Sequence, residues 1–306
     1  MILCRLPRCG RAFLTIAAGL FITSPSLFAT VALHGIFSDH AVLQRAGRVP
    51  VWGTAAPGEK ISLHIGNASA RTTAQADGTW KTFLDLQAEK EGPFDLTAEG
   101  DGNKITLTDI LVGEVWLCSG QSNMRFHLAK STGGEAETAL ANHPRIRLLS
   151  VGLNVAGQPV TRLREKWTAC DPKTAATFSA IGYYTGKTLH QNLNVPVGLI
   201  SISWAGTMIE TWMSPQALAS DPDFKPITDR WAKKEAGYPA KQADFEKNKD
   251  ALMAAWRQQA GEAKAKGARE PFPPVPPPGP LSLERPSGLY HGEIFPVAPY
   301  RLGGVL

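Results

Sequence analysis

Residues 111–124, LVGEVWLCSGQSNM, decide the fold of this chain. The first eight residues form a near-continuous apolar run, which is typical of a strand buried on both faces of a parallel sheet. The small polar turn SGQSN follows at once. In open α/β sheets the reactive groups lie in the loops at the carboxyl ends of the strands. Ser122 stands in such a loop and is therefore a candidate nucleophile.

Three further segments predict the rest of an α/β layer. Residues 145–151, RIRLLSV, and 195–204, VPVGLISISW, have the composition of buried strands. Between them, residues 171–193 are predicted to form one helix, with Asp171 as its N-cap and Pro172 in its first turn. Strand, helix and strand in this order indicate a parallel sheet.

The chain divides into three predicted parts after its first 29 residues. Residues 30–110 contain short alternating runs separated by turns such as PGE, ADG and GDGN, which predicts a small antiparallel β module. Residues 111–306 form the α/β domain. Within it, residues 216–285 are predicted to be a helical, proline-rich insertion. The run PFPPVPPPGP at 271–280 indicates a stiff polyproline II connector rather than an SH3-type ligand.

Residues 1–29 have the pattern of a secretory signal peptide, with cleavage after Ala29. A basic start precedes an apolar run at 12–22, which is short for the alternative, an uncleaved membrane anchor. We therefore expect a secreted or periplasmic protein that has no membrane segment after cleavage.

The net charge bears on the class of binding partner, and the cysteines bear on disulfide bonding. Excluding the three arginines of residues 1–29 lowers the formal net charge from +5 to +2, which does not predict a nucleic-acid partner. Cys4 and Cys9 leave with the signal peptide. Cys118 and Cys170 remain, and two cysteines are not a disulfide scaffold. The apolar run around Cys118 predicts a buried free thiol.

Ser122 on its own leaves two interpretations open. The turn SGQSNM is not the G-x-S-x-G elbow of α/β-hydrolases, because Met124 replaces the second glycine. Serines in such turns commonly cap the helix that follows. The spacing alone favours a cap, and a nucleophile is the alternative.

A resemblance to a known family favours the nucleophile over the helix cap for Ser122. VGEVWLCSGQSNM at 112–124 is similar to the nucleophile block of the sialate O-acetylesterase family, within the SGNH/GDSL-type hydrolases. DHAVLQR at 39–45 resembles the family's amino-terminal β module. Residues 178–214 resemble its central helix, strand and second block, and residues 289–306 resemble the segment before its third block. The resemblance implies an SGNH-type three-layer α/β domain that is incomplete here.

The resemblance also implies a chemistry, which is removal of O-acetyl groups from sialic acids or related sugars without metal or cofactor. Ser122 would attack the acetyl carbonyl. The backbone N–H groups of Ser122 and Gly206 would form the oxyanion hole, although Gly206 taken by itself is better explained as a turn glycine at the end of a strand. Ala205 and Arg125 depart from the residues common in the family. The possible pocket residues, for which core packing or surface exposure are alternatives, are Gln121, Asn123, Trp204, Glu210 and Trp212.

No general base is predicted within the 306 residues. The family's third block, a QGESN-like turn, and its later Asp-x-x-His block do not occur in the sequence. His40, His127 and His291 are each expected to be packing or surface residues. The sequence therefore predicts a truncated or frameshifted copy that is poorly soluble and inactive when made alone.

Three functions remain open at this stage. The first is the esterase, impaired by loss of its base. The second is a secreted carbohydrate-binding protein without catalysis, and the third is a structural β module with an appended fragment. The sequence does not distinguish sialic acid from other acetylated sugars, nor does it indicate an oligomeric state.

Overall fold

The computed structural model describes residues 30–306, so the predicted signal peptide lies outside the described residues. The amino-terminal part of the described chain consists of strands, as its alternating pattern predicts. Its first seven strands are β1 (Ala32–Leu33), β2 (Val42–Gln44), β3 (Val49–Thr54), β4 (Lys60–Ile65), β5 (Ala68–Thr73), β6 (Thr79–Leu84) and β7 (Phe94–Glu99).

Six of these strands form a small sandwich, while β2 pairs in parallel with the next strand, Lys104–Gly120. Strands β1, β3 and β6 make one antiparallel sheet, and β4, β5 and β7 pair antiparallel in the other. Side chains of both sheets meet in one hydrophobic core, including Val51 and Trp80 from the first sheet and Leu63 and Leu96 from the second. Burial of apolar side chains from two facing sheets is what makes each sheet stable.

Strand β8 (Lys104–Gly120) joins the sandwich to the α/β layer. Its first half pairs antiparallel with β7, and its second half pairs with parallel strands. The predicted division after Ile110 therefore falls within one continuous strand. Ile110–Gly113 and Val115 are buried, as expected for a strand covered on both faces, while Glu114 is half-buried.

The α/β layer is a mostly parallel sheet, which confirms the predicted fold class. The strands are β9 (His143–Ser150), β10 (Thr168–Cys170), β11 (Val197–Ser203) and β12 (Gly304–Val305). Their order is β10-β9-β11-β8, with β12 on the other edge of β8. All pairs are parallel except β10 with β9. The carboxyl ends of β9, β11, β8 and β12 therefore lie along one edge of the sheet.

Short helices follow the strands. They are α1 (Ser122–Arg125), α2 (Gly134–Ala139), α3 (Pro172–Ala176) and α4 (Ala180–Leu193). The prediction of one helix over 171–193 is wrong, because α3 ends before α4 begins. The side chain of Ser179 accepts a hydrogen bond from the Gly182 N–H and caps α4. The predicted N-cap Asp171 is confirmed, since its side chain accepts from the Thr174 N–H in a capping box.

The insertion forms an arm that we call the helix–proline arm, residues 225–285. After α5 (Pro215–Ala219), helix α6 (Lys225–Ala265) extends for 41 residues, and the proline-rich segment returns along it. Trp256 Nε1 donates to the Pro271 carbonyl at 2.9 Å, and the Arg285 guanidinium pairs with Glu235 at 2.9 Å. The proline-rich segment is thus a connector that packs on its own helix.

Both cysteines of the described chain, Cys118 and Cys170, are buried and free, which confirms the predicted thiol. Burial raises the pKa of each thiol to about 12, so neither behaves as a reactive thiolate. Among residues 30–306, no helix combines the length and the hydropathy required to cross a bilayer.

Candidate active site

Ser122 lies at the carboxyl end of β8, where the sequence places it. The strand ends at Gly120, whose φ of 153° lets the chain turn, and Ser122 is the first residue of α1. Its side chain is exposed. Ser122 Oγ donates to Gln121 Oε1 at 3.5 Å, which is long for a hydrogen bond. Ser122 does not cap α1, because Gln121 holds the N-cap position.

An open depression of about 500 Å³ surrounds Ser122. Gln121 and Asn123 line it on either side of the serine, and Ile181 of α4 supplies an apolar wall. Ile181 keeps 44% of its surface exposed. The depression contains no charged side chain, so a neutral acyl group fits its lining better than an ion does.

The loop after β11 lies directly beside the Ser122 turn. Ser203 pairs with Gly120 in the parallel register, and the Trp204 N–H donates to the Gly120 carbonyl at 3.1 Å. The Arg125 Nη1 group donates to the Ser203 carbonyl at 2.9 Å and ties the two loops together. Gly206 follows in this loop with a φ of 75°, exposed and with no other group near its Cα. The structure thus brings the two predicted oxyanion donors into neighbouring loops.

The other predicted pocket residues, Trp204, Glu210 and Trp212, do not line the depression. Trp204 is half-buried. Glu210 is 7% exposed and accepts from Arg230 Nη2 of α6 at 3.1 Å. Trp212 Nε1 donates to Thr207 Oγ1 at 3.0 Å. Glu210 anchors the helix–proline arm, and Trp212 braces the loop that carries Gly206.

No histidine in the part of the chain that the structure describes hydrogen-bonds to Ser122. His34 and His190 bond to the carbonyls of Thr161 and Val195. His40 hydrogen-bonds to the Asp109 carboxylate, and His143 hydrogen-bonds to the Tyr183 hydroxyl. His291 is buried with its Nδ1 unpaired, while His127 and His64 have no side-chain hydrogen bond within residues 30–306.

A buried carboxyl that sequence reasoning missed, Glu293, lies near this edge of the sheet. It belongs to a π-helical turn (Tyr290–Ile294) and is fully buried. Its Oε1 accepts from the Asn154 N–H at 3.1 Å, whereas Oε2 has no partner. Burial raises the pKa of Glu293 to about 7, against an opposing effect of the Asn154 N–H and the Arg125 charge. The sequence carries one sign of this buried carboxyl, which is an acidic residue within the otherwise apolar stretch GEIFPVA.

The described chain contains no group of histidine, cysteine, aspartate and glutamate side chains arranged to hold a metal ion. The site combines an exposed serine at the carboxyl edge of a parallel sheet with a neighbouring loop that bears an exposed glycine. The fold and the site thus define an α/β domain with a candidate nucleophile at the carboxyl ends of its strands.

Comparisons with known proteins point to one family. Residues 112–237 match the family model of carbohydrate esterases described as sialic acid-specific acetylesterases. The mouse sialate O-acetylesterase is 27% identical over 234 residues, covering 66% of this chain and 43% of the mouse protein. The human protein is 32% identical over 202 residues, covering 59% of this chain and 38% of its own length. These matches support the sialate O-acetylesterase family and confirm the resemblance found in the sequence.

A solved structure agrees with this result. A carbohydrate acetylesterase from Xanthomonas citri superposes with a TM-score of 0.65 and 28% identity, over 90% of this chain and 50% of that protein. The chain therefore spans half of this bacterial relative and less than half of the mammalian ones.

Proposed function

We propose that this chain carries the nucleophile of a serine esterase that removes O-acetyl groups from sialic acids or related acetylated carbohydrates. The observation that carries the proposal is the position of Ser122, exposed in an uncharged depression at the carboxyl edge of the sheet. The names of the related proteins support an acetylated sugar as the substrate.

The proposed reaction proceeds through an acetyl-enzyme. Ser122 Oγ attacks the acetyl carbonyl and gives up its proton to a base. The tetrahedral intermediate then expels the sugar oxygen, which takes a proton and leaves as the hydroxyl. Water attacks the acetyl-serine ester in the second step, releasing acetate and restoring Ser122.

The oxyanion would be held by backbone donors. Ser122 opens α1, and the first N–H groups of a helix have no partner within the helix. Gly206 presents its backbone without a side chain, so a substrate oxygen can approach closely. The hydrogen bond from Arg125 to Ser203 supports this proposal because it fixes the distance between the two loops.

We propose that none of the described residues 30–306 is the general base. The hydrogen bonds of His34, His40, His143 and His190 to other groups support this assignment. A triad without its base loses several powers of ten in rate. We therefore expect the purified chain to hydrolyse acetyl esters no faster than its Ser122→Ala variant does.

Chemical rescue tests the nucleophile and the base together. The wild-type chain, Ser122→Ala and Ser69→Ala are assayed with 4-nitrophenyl acetate, with and without added imidazole. Ser69 is exposed on β5 and serves as the matched serine control. Because imidazole itself cleaves this ester, the rate that counts is the difference between each protein and Ser122→Ala.

The expected result is a difference that appears with imidazole for the wild type and Ser69→Ala. A difference without imidazole would support the nucleophile and contradict the proposal that residues 30–306 lack the base. No difference in either condition from folded protein would contradict the nucleophile. Saturable binding of an O-acetylated sialoside in that case would favour the carbohydrate-binding alternative.

A further inference from the structure

A second concave surface lies on the β sandwich, and we call it the Trp52 groove. It has a volume of about 900 Å³ and runs between strands β1, β3 and β6 on one side and residues 161–164 and 295–299 on the other. It shares no lining residue with the depression around Ser122. The esterase mechanism uses none of it.

The floor of the groove is an aromatic side chain held in place from behind. The Trp52 indole is half-exposed. The Phe37 ring meets it edge-on at 4.8 Å between centroids, and Tyr300 meets it at 6.4 Å in the same manner. The His34 ring lies beside it at 5.1 Å. Trp52 therefore presents a fixed, flat apolar surface whose orientation needs no ordering when a ligand binds.

The wall of the groove is tied to this floor. His34 Nε2 donates to the Thr161 carbonyl at 2.9 Å, and the Ile36 N–H donates to His34 Nδ1 at 3.2 Å. Both ring nitrogens are thus occupied, and burial lowers the pKa of His34, which keeps the ring neutral. The link holds residues 161–164 beside the sandwich and fixes the width of the groove.

The rim of the groove carries cations without counter-ions. Lys81, Arg162 and Arg164 line it with exposed side chains, and its lining includes no aspartate or glutamate. Across residues 30–306, none of these three side chains has a carboxylate within 4.0 Å, whereas the half-buried Arg145 and the buried Arg147 are both paired. A cleft lined by one sign of charge concentrates ligands of the opposite sign.

We propose that the Trp52 groove is a binding site for acidic saccharides, separate from the esterase site. One sugar ring lies with its apolar C–H face on Trp52, where the electron-rich ring face attracts C–H groups. The carboxylate of the sugar pairs with Arg162 or Arg164, whose planar guanidinium groups bind carboxylates with two parallel hydrogen bonds. A nucleic acid is a poorer occupant, because residues 30–306 carry a formal net charge of only +2.

The test is calorimetric titration with 3′-sialyllactose, using lactose as the neutral ligand of matched size. Arg162→Gln with Arg164→Gln removes the cations from exposed positions, so folding is preserved. Lys241→Gln with Arg257→Gln is the matched control, because these cations are exposed on α6. Trp52→Ala removes the floor, and circular dichroism checks its fold because Trp52 packs on Phe37.

We expect the arginine double variant to raise Kd for 3′-sialyllactose about tenfold, equal to about 1.4 kcal/mol. The control double variant should bind like the wild type, and lactose should bind about tenfold more weakly than 3′-sialyllactose. Equal binding of lactose, equal loss in both double variants, or no saturable binding by folded wild type would overturn the proposal. So would tighter binding of a short oligonucleotide. None of these outcomes depends on Ser122, so failure here is distinct from failure of the esterase.

Discussion

The depression around Ser122 and the Trp52 groove differ in what each can do with a sugar. The first has an exposed serine hydroxyl and neighbouring backbone N–H groups but no charged or aromatic side chain in its lining. The second has a braced indole and three cations without a carboxylate partner within residues 30–306. The proposed chemistry and the proposed recognition thus lie on separate surfaces. A small, uncharged depression suits an acetyl group, and a larger, cationic groove suits an acidic sugar.

A second difference concerns titration. A buried carboxyl, Glu293, lies near the edge of the sheet that bears Ser122, within reach of the Arg125 charge. The Trp52 groove is lined instead by Lys81, Arg162, Arg164 and His34. The guanidinium group stays charged in proteins, and burial lowers the pKa of His34, which keeps its ring neutral near pH 7. Changes of pH near neutrality should therefore act on the first region and spare the second.

The largest expected effect is on stability and comes from Glu293→Gln. In the unfolded chain the carboxyl ionises near 4.5, whereas burial raises the folded pKa to about 7. The contribution of Glu293 is therefore fully present below 4.5 and is lost as the pH rises through about 7. Glutamine keeps the acceptor for Asn154 and cannot ionise. We expect the variant to match the wild type at low pH and to exceed it by about 3 kcal/mol above about pH 8.

Urea unfolding at the two pH values measures this difference, with the exposed Glu270→Gln as the control. Glu270→Gln should change neither free energy of unfolding. A Glu293→Gln variant that is equally stable relative to the wild type at both pH values would show that Glu293 ionises normally in the folded protein.

The two regions also differ in how far the sequence predicts them. The strand β8 and the serine that follows it were predictable, because a strand buried on both faces must be a continuous apolar run. The break between α3 and α4 was missed, since apolar spacing continues through Phe178 and Ile181 while one Ser179 cap restarts the helix. Periodicity reports which face is buried and does not report a local cap.

The Trp52 groove could not be predicted, because its residues come from parts of the chain that are far apart. Trp52, Arg162 and Phe295 lie on a strand, a loop and the segment before β12, and each is ordinary by itself. Glu293 is similar, since its importance depends on burial by residues as distant as Asn154. Long-range packing creates both features, and local pattern carries little trace of them.

The second-largest expected effect is on binding. It tests whether charge contributes to binding in the Trp52 groove and not to ester cleavage at Ser122. Raising ionic strength from about 0.02 M to about 0.5 M shortens the screening length severalfold. We expect Kd of the wild type for 3′-sialyllactose to rise about tenfold, and the imidazole-dependent cleavage of the neutral 4-nitrophenyl acetate to change less than about twofold. A Kd that is independent of salt would mean that the groove binds through its apolar floor alone.

The smallest effect separates backbone strain from a role in the reaction. Gly206 and Gly58 have φ values of 75° and 79°, and a Cβ at either position meets no atom within 4 Å. Alanine at either position should therefore lower the free energy of unfolding by about 1 kcal/mol, because a left-handed backbone disfavours a side chain. Gly58 lies in a turn of the sandwich and takes no part in the proposed reaction.

Gly206→Ala should in addition lower the imidazole-dependent rate, because its methyl group crowds the substrate oxygen, and Gly58→Ala should not. Equal rates in the two variants, with equal losses of stability by urea unfolding, would make Gly206 a turn glycine and leave the oxyanion with the Ser122 N–H as its donor.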